Sequence, residues 1–469
     1  MKDYRFLIIP ALESTYDYRM VKGLSDGINQ LGYFSAAISF PCSDIHIEEL
    51  CRSLNINVVI GINRTFEFRP IYSLIRYISW FQDVFTSNYD LSNKLLEGDI
   101  LYTLGSLQSL GIKFNNSKVK YSELFTGVNS HILNSFKTVS EKNKIDFSLA
   151  GFIPAPFSAS WEMKKDLIWF VESYIVNIPL IPKIKIFWFL RQVIFRKFYG
   201  VDYVPTSALV TMKNAVESLY QPLTGSLDIH KLASAMESLL IEYRRPTYRL
   251  KKIKKKKPSE LKSVLLPYYE RFSNRTDLSA SIIKYLIKNN ESKDLAEFDA
   301  FNKAIAYFSN SYPRLLDRIL LVDNIIEITR SLKLYGKGWD THPKYSPYYC
   351  GSIDDHEELL NIYRATKINL ANNTHGLGMH SRNLECMAVG GFLMMHASQN
   401  EKITGGMAHH FLPGIHYGSY THENLKEEAS YWLKNESKRI QIGLNARDEI
   451  MKNHLWIHRA RKIIQDLDE

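Results

Sequence analysis

The chain has 469 residues, of which 45% are hydrophobic and 23% charged. These are the proportions of an ordinary globular protein of two or three domains, and they exclude a largely disordered chain. The formal net charge is +10, but residues 244–262 alone hold ten basic residues and one acid, leaving about +1 for the other 450. That distribution describes one basic tract and argues against a nucleic-acid-binding surface spread over the protein. The cysteines Cys42, Cys51, Cys350 and Cys386 make no CxxC pair. This spacing argues against a zinc ribbon or a disulfide framework and fits a reducing cytoplasm.

Residues 5–10 form a short apolar run, and residues 18–31 have helical spacing with Gly32 as the stop signal. Strands are expected at 34–39 and 58–61, with a helix at 45–54 between them. The alternation continues through strands at 79–81, 100–104 and 119–123. This rhythm predicts a parallel, doubly wound sheet over about the first 130 residues. Residues 147–153 are one more strand, after which the rhythm stops.

From 160 to 330 the patterns are helical, with the basic tract inside. Residues 167–198 interleave aromatic and aliphatic residues with Lys183, Lys185, Arg191, Arg196 and Lys197. Glu172, Asn177 and two prolines interrupt the apolar part, so it is too broken to span a bilayer, which takes about 20 apolar residues. It suits an interfacial helix, with the tract adding attraction to anionic lipid. A buried helical hairpin and a solvated linker fit the same residues. No targeting segment is expected at the N-terminus, where the apolar core spans only residues 6–12.

Strand–helix alternation resumes at 333–335. It runs through a strand at 368–371, a helix at 381–389, a strand at 392–395, a helix at 421–434 and a final helix from 437. The chain therefore reads as residues 1–145 and residues 146–469, two Rossmann-like doubly wound halves facing a cleft, the second interrupted at about 160–330. Ligands of such sheets bind beyond the C-terminal ends of the strands.

The most informative stretch is residues 367–396. A strand ends near Asn372, a loop carries Gly376 and Gly378, and Ser381 is placed to cap a helix. Free N–H groups and the helix dipole favour an anion there, and Arg382 adds a planar cation suited to phosphate. Glu385 sits one turn inside, placed to accept hydrogen bonds from ribose hydroxyls. A cap and a surface ion pair between Arg382 and Glu385 would read the same. Residues 333–339, KLYGKGW, place Gly336 and Lys337 at another strand end, as a backbone-approach turn with a cation or as a simple turn. His375, His380, His396, His409, His410 and His416 crowd one third of the chain but match no zinc spacing. No metal site is expected, and contact of His375 or His380 with phosphate or sugar is the better reading.

The series LYGKGW, YYCGSI, DHEELLNIYRATKINLANN, GLGMHSRNLECMAVGGFLM and RDEIMKNHLWIHRARKII resembles the C-terminal domain of the CgeB-like, group-one glycosyltransferases. WFQDV, EGDILYTLG and DFSLAGFI are similar to weaker N-terminal landmarks of that family. The resemblance implies a GT-B fold and a nucleotide-diphosphate sugar donor held by the C-terminal half. The acceptor then lies on the N-terminal half. It carries a donor role onto Gly376, Gly378, Arg382 and Glu385, with Gly336, Lys337 and His380 beside them. Many retaining GT-B enzymes have two glutamates eight positions apart. Here Leu377 stands eight before Glu385, which leaves the stereochemistry open.

An inverting reaction needs a base on the N-terminal side of the cleft. Asp83 is the first candidate and Glu13 the second, although Asp83 is also placed to cap a helix. The expected function is a cytoplasmic, metal-independent hexosyltransferase. It needs no cofactor beyond its nucleotide-sugar co-substrate and acts on a glycan or lipid-linked acceptor for a cell-surface polysaccharide. A peripheral contact with the inner membrane face goes with it, and nucleic acid does not. A GT-B-type nucleotide-sugar epimerase and a non-catalytic nucleotide- or sugar-binding protein are the alternatives.

Overall fold

A computed structural model describes residues 3–66, 75–83, 89–134, 145–154, 206–244 and 304–469. The chain forms two compact units. One contains Met1–Pro154, Gln221–Asp228 and Pro313–Glu469, and the other Ala155–Tyr220 and Ile229–Tyr312.

The larger unit contains two parallel sheets. The first is built from β1 (Arg5–Ile9), β2 (Phe34–Ala37), β3 (Val58–Ile62), β4 (Arg76–Phe81), β6 (Ile100–Thr103) and β8 (Lys120–Glu123), in the order β2-β1-β3-β4-β6-β8. A separate two-residue pair joins β5 (Tyr89–Asp90) to β7 (Ile112–Lys113). The second sheet contains β9 (Ile145–Ala150), β10 (Leu332–Tyr335), β11 (Thr366–Ala371), β12 (Leu393–His396) and β13 (Gly418–Tyr420), in the order β10-β9-β11-β12-β13. Every pairing is parallel. Both sheets start in the middle, step one strand outward and then reverse, which makes them doubly wound. The expected mixed α/β class with two Rossmann-like sheets is what the chain adopts. Each has a switch point, between β1 and β3 in the first and between β9 and β11 in the second, where the diverging connections leave a crevice.

The strands are apolar because both faces are covered. All five residues of β3 are buried, and in β6 all four are. The first helix, Thr15–Gln30, starts earlier than its apolar spacing suggests, because the Ser14 side chain accepts the Asp17 N–H. It ends at Leu31, and Gly32 follows with φ +87°, the left-handed position beyond the cap.

The C-terminus departs from the expected division. One final helix was expected in the second half. The chain instead forms Glu436–Asn453, breaks at His454 and Leu455, and continues as Trp456–Asp468 packed on the first sheet. Trp456 meets Trp80 edge-on at 6.2 Å, and the Tyr102 hydroxyl donates to Asp466 Oδ2 at 2.6 Å. Gly23 and Gly27 are small because a side chain at either would run into Trp456.

In the smaller unit, helices Thr206–Leu219 and Ile229–Arg244 pack together and against a π turn at Tyr307–Ser311. Met212, Val216 and Met236 are buried there. The loop between those helices, residues 221–228, belongs to the larger unit. It lies along the ends of β11 and β12: Ser398 Oγ donates to the Gly225 carbonyl at 2.7 Å, and Leu227 N–H to the Thr374 carbonyl at 3.3 Å. Residues 167–198, and the basic tract beyond its first residue, lie outside the described residues. Among the described residues no helix is long and apolar enough to cross a membrane.

Candidate functional site

The second sheet's switch point carries a cavity. Ala150, at the end of β9, and Ala371 and Asn372, at the end of β11, form its floor. Arg318, His380, Arg382 and Asn383 complete the wall.

The helix after β11 is Ser381–Ala388, and its N-cap is His380, not Ser381. No side chain caps it, because the Ser381 hydroxyl instead donates to the Tyr16 hydroxyl at 3.0 Å. The Ser381 and Arg382 N–H groups stay available to an anion, while the Asn383 N–H goes to the His380 carbonyl at 3.0 Å. Arg382 and Glu385 do not pair with each other. Arg382 Nη1 donates to the Ala150 carbonyl at 2.6 Å, bringing its guanidinium across the switch point. Glu385 is buried. Its Oε1 lies 3.1 Å from His356 Nε2 and 3.8 Å from Arg19 Nη2, while Oε2 has no hydrogen-bond partner.

His380 is held by Asn373, whose Nδ2 donates to the ring Nε2 at 2.6 Å. Burial, then Arg382 and Arg314, lower its pKa to about 4. His375 falls to about 3 through burial, then Arg314 and His380. Both rings are neutral near pH 7, and because His380 Nε2 accepts from Asn373, its Nδ1 carries the proton and can donate. His396, beyond them, is lowered to about 4 by burial.

The loop glycines are tightly packed by the protein around them. A side chain at Gly376 would run into the Gly225 carbonyl and Ser398 Oγ. Gly378 packs against Met407 and Met395 in the same way. Their smallness lets the loop seat closely against protein. At Gly336, with φ +111°, an added side chain would stand 2.8 Å from the backbone of Gly151 and Phe152, so the turn after β10 needs a glycine there. Lys337, next to it, is exposed and does not line the cavity.

Asp83 lies just past β4, on the first sheet's C-terminal edge. Its Oδ2 accepts from Asn63 Nδ2 at 2.7 Å. Asp83 is exposed to solvent, and crowding by the surrounding protein and then the charge of Asp17 raise its pKa, against the opposing pull of Arg314. Arg314 also feels Arg382 and Asp317, so Asp83 shares an electrostatic environment with the second sheet's arginines. Glu13 is exposed in the loop after β1 and joins none of these contacts.

The structure thus gathers Arg382, His380 and Asn372 around one cavity, with Glu385 on an adjoining face of the same helix. Lys337, Gly376 and Gly378 stand apart from it. Sequence reasoning passed over Arg314 and Arg318, although two arginines four apart in PRLLDR, on a mainly apolar helix, are a readable signal. Among the described residues no three His, Cys, Asp or Glu side chains gather as metal ligands.

A family described as glycosyl transferase-like matches residues 318–465. No curated protein matches the chain. Among solved structures the chain is similar to a glycosyltransferase from Rickettsia africae ESF-5. The two are 12% identical with a TM-score of 0.45, over 100% of this chain and 98% of that one.

Proposed function

We propose that the protein is a glycosyltransferase that moves a sugar from a nucleotide-diphosphate donor to a hydroxyl acceptor. The observation that carries this reading is the second sheet's switch-point cavity, where Arg382 and an uncapped helix N-terminus meet inside the glycosyl transferase-like segment. A leaving diphosphate gains negative charge as the glycosidic bond breaks. Fixed donors placed in advance stabilise that charge without reorganisation, and a metal is then not required. Glu385 holds the ribose by exchanging its contacts with His356 and Arg19 for the sugar's hydroxyls, its unpartnered Oε2 being the first to gain.

Asp83 is the base that takes the acceptor's proton as its oxygen attacks the anomeric carbon. Its raised pKa suits it to that task. Hexosyl transfer to a glycan or lipid-linked precursor of a cell-surface polysaccharide, by a cytoplasmic enzyme touching the membrane surface, completes the reading. It is the activity that the likeness to CgeB-type enzymes implies.

The test is a panel of labelled nucleotide sugars with and without glycan acceptors. Transfer that needs an acceptor supports the reading. Donor conversion to an isomer with no acceptor present makes the protein an epimerase, and nucleotide binding with no turnover makes it a binding module.

A further inference from the structure

Arg318 stands out among the charged residues of the cavity. It lies on the helix Tyr312–Ile326 and is 6% exposed, yet its Nε and Nη1 have no hydrogen-bond partner. Asn372, on the floor of the same cavity, has neither its Nδ2 nor its Oδ1 satisfied. Buried polar groups are nearly always paired, so two such groups facing one cavity point to a partner supplied from outside.

The surroundings favour an anionic partner. Burial lowers the pKa of Arg318 well below the usual arginine value, and Arg382 and Arg314 repel it further, with Asp317 opposing them. Asp317 already accepts the Leu223 N–H on Oδ1 at 2.7 Å. A methyl at Gly151 would stand 3.1 Å from Arg318 Nη2 and 3.3 Å from Arg382 Nη1, so both guanidinium groups close on the same glycine. Arg318 lies over the Phe152 ring at 4.9 Å and shares the cavity wall with Arg382, whose charge repels it, and a planar guanidinium in that position offers paired donors to a phosphate.

We infer that Arg318 and Asn372 form a second anion-binding element beside Arg382 and the Ser381–Ala388 helix N-terminus, and that the two elements together hold a diphosphate. This deepens the donor reading, on which it rests for the identity of the ligand, by assigning two residues outside the expected set and by naming what they select. A single phosphate engages one element, whereas a diphosphate engages both. Asn372 contributes its amide N–H as donor.

The experiment measures thermal stabilisation and affinity with inorganic pyrophosphate, and with matched nucleoside mono- and diphosphates of several bases. It uses the full chain and its Arg318→Met variant. The wild type should bind a diphosphate at least tenfold more tightly than the corresponding monophosphate, and pyrophosphate should stabilise it. Arg318→Met should remove both effects and leave monophosphate affinity within threefold. With no ligand present, the variant should melt no lower than the wild type, because a buried repulsion has been removed. A purely structural arginine would do the reverse, lowering the melting temperature and sparing the preference.

Should Arg318→Met fail to fold, Asn372→Leu carries the same test, with at least a threefold loss of the diphosphate preference expected. Equal binding of mono- and diphosphate by the wild type, or a preference that survives in the variants, overturns the inference. Pyrophosphate binding that depends on Arg318, without transfer from any nucleotide sugar, keeps the anion site and removes the transferase reading. Transfer with a KM for donor unchanged in Arg318→Met does the opposite.

Discussion

The two sheets share one winding pattern and differ in what their C-terminal edges present. The first edge carries Asp17 and Asp83 and leaves Leu12, Phe40 and Ile45 more than half exposed. The second carries Arg314, Arg318 and Arg382 with His375, His380 and His396, and much of it is buried. Topology alone therefore does not distinguish an anion site from a site for a neutral partner. The edge residues do, and in the proposed reaction the side with Asp83 accepts a proton and the side with the arginines holds the leaving group.

Acid should affect the second edge most. His375, at about 3, and His380 and His396, at about 4, titrate in the folded protein below the ordinary histidine value of about 6.5. The unfolded chain thus binds more protons than the folded one between those values. Stability is fully present above pH 6.5 and is lost as pH falls from there toward 4. The slope is up to about 1.4 kcal/mol per pH unit for each histidine. Urea denaturation at pH 7.5, 6.5 and 5.5 measures it. A flat profile would show that water reaches these rings and would dissolve the contrast between a buried edge and an open one.

The next prediction concerns how far the two halves are separate. The helix Trp456–Asp468 leaves the second half and closes the first sheet's core. Trp456→Ala should cost about 3–5 kcal/mol, the usual loss for a buried aromatic. A loss under about 1 kcal/mol in chemical denaturation would mean that the first sheet is complete without this helix.

How much of this was legible in the sequence follows from range. Strands such as β1, β3 and β11 are short apolar runs, and local pattern sufficed to find them. The break at His454 was not legible, since residues 437–464 keep a helical spacing and the reason for the break lies on a sheet whose strands begin 450 positions earlier. Arg382 was found because a loop-to-helix junction is a local signal. Arg318 was passed over because its meaning lies in what surrounds it, namely burial, two neighbouring arginines and an unsatisfied Asn372. Gly376 was found for an incomplete reason. The spacing shows that a small residue is wanted, while the structure shows that Gly225 and Ser398 want it small.

Asp83 tests the acidic side. Asp83→Asn keeps the size and the Asn63 contact on one atom but removes the basic oxygen, so kcat should fall on the order of 10²-fold. Donor affinity should stay within about threefold, because the acidic edge does not hold the leaving group. Full activity in both Asp83→Asn and Glu13→Gln would move the base away from this edge.

The smallest effect expected is at Glu385, where the two sides meet. It sits on the helix of the basic edge, yet its nearest cation from the other side is Arg19, on the first helix of the chain, 3.8 Å away. A carboxylate there has two uses, holding ribose and joining the halves, and one substitution separates them. Glu385→Gln keeps the shape and one acceptor oxygen but loses the charge-assisted hydrogen bonds, which should weaken nucleoside diphosphate binding by about 1.5–3 kcal/mol. Pyrophosphate, which has no ribose, should bind the variant as it binds the wild type. Titration calorimetry with both ligands reads the difference directly. Equal weakening of both would place Glu385 in the general electrostatics of the basic edge. Weakening of neither, in a folded variant, would leave it only its contacts with His356 and Arg19 and would remove the ribose assignment.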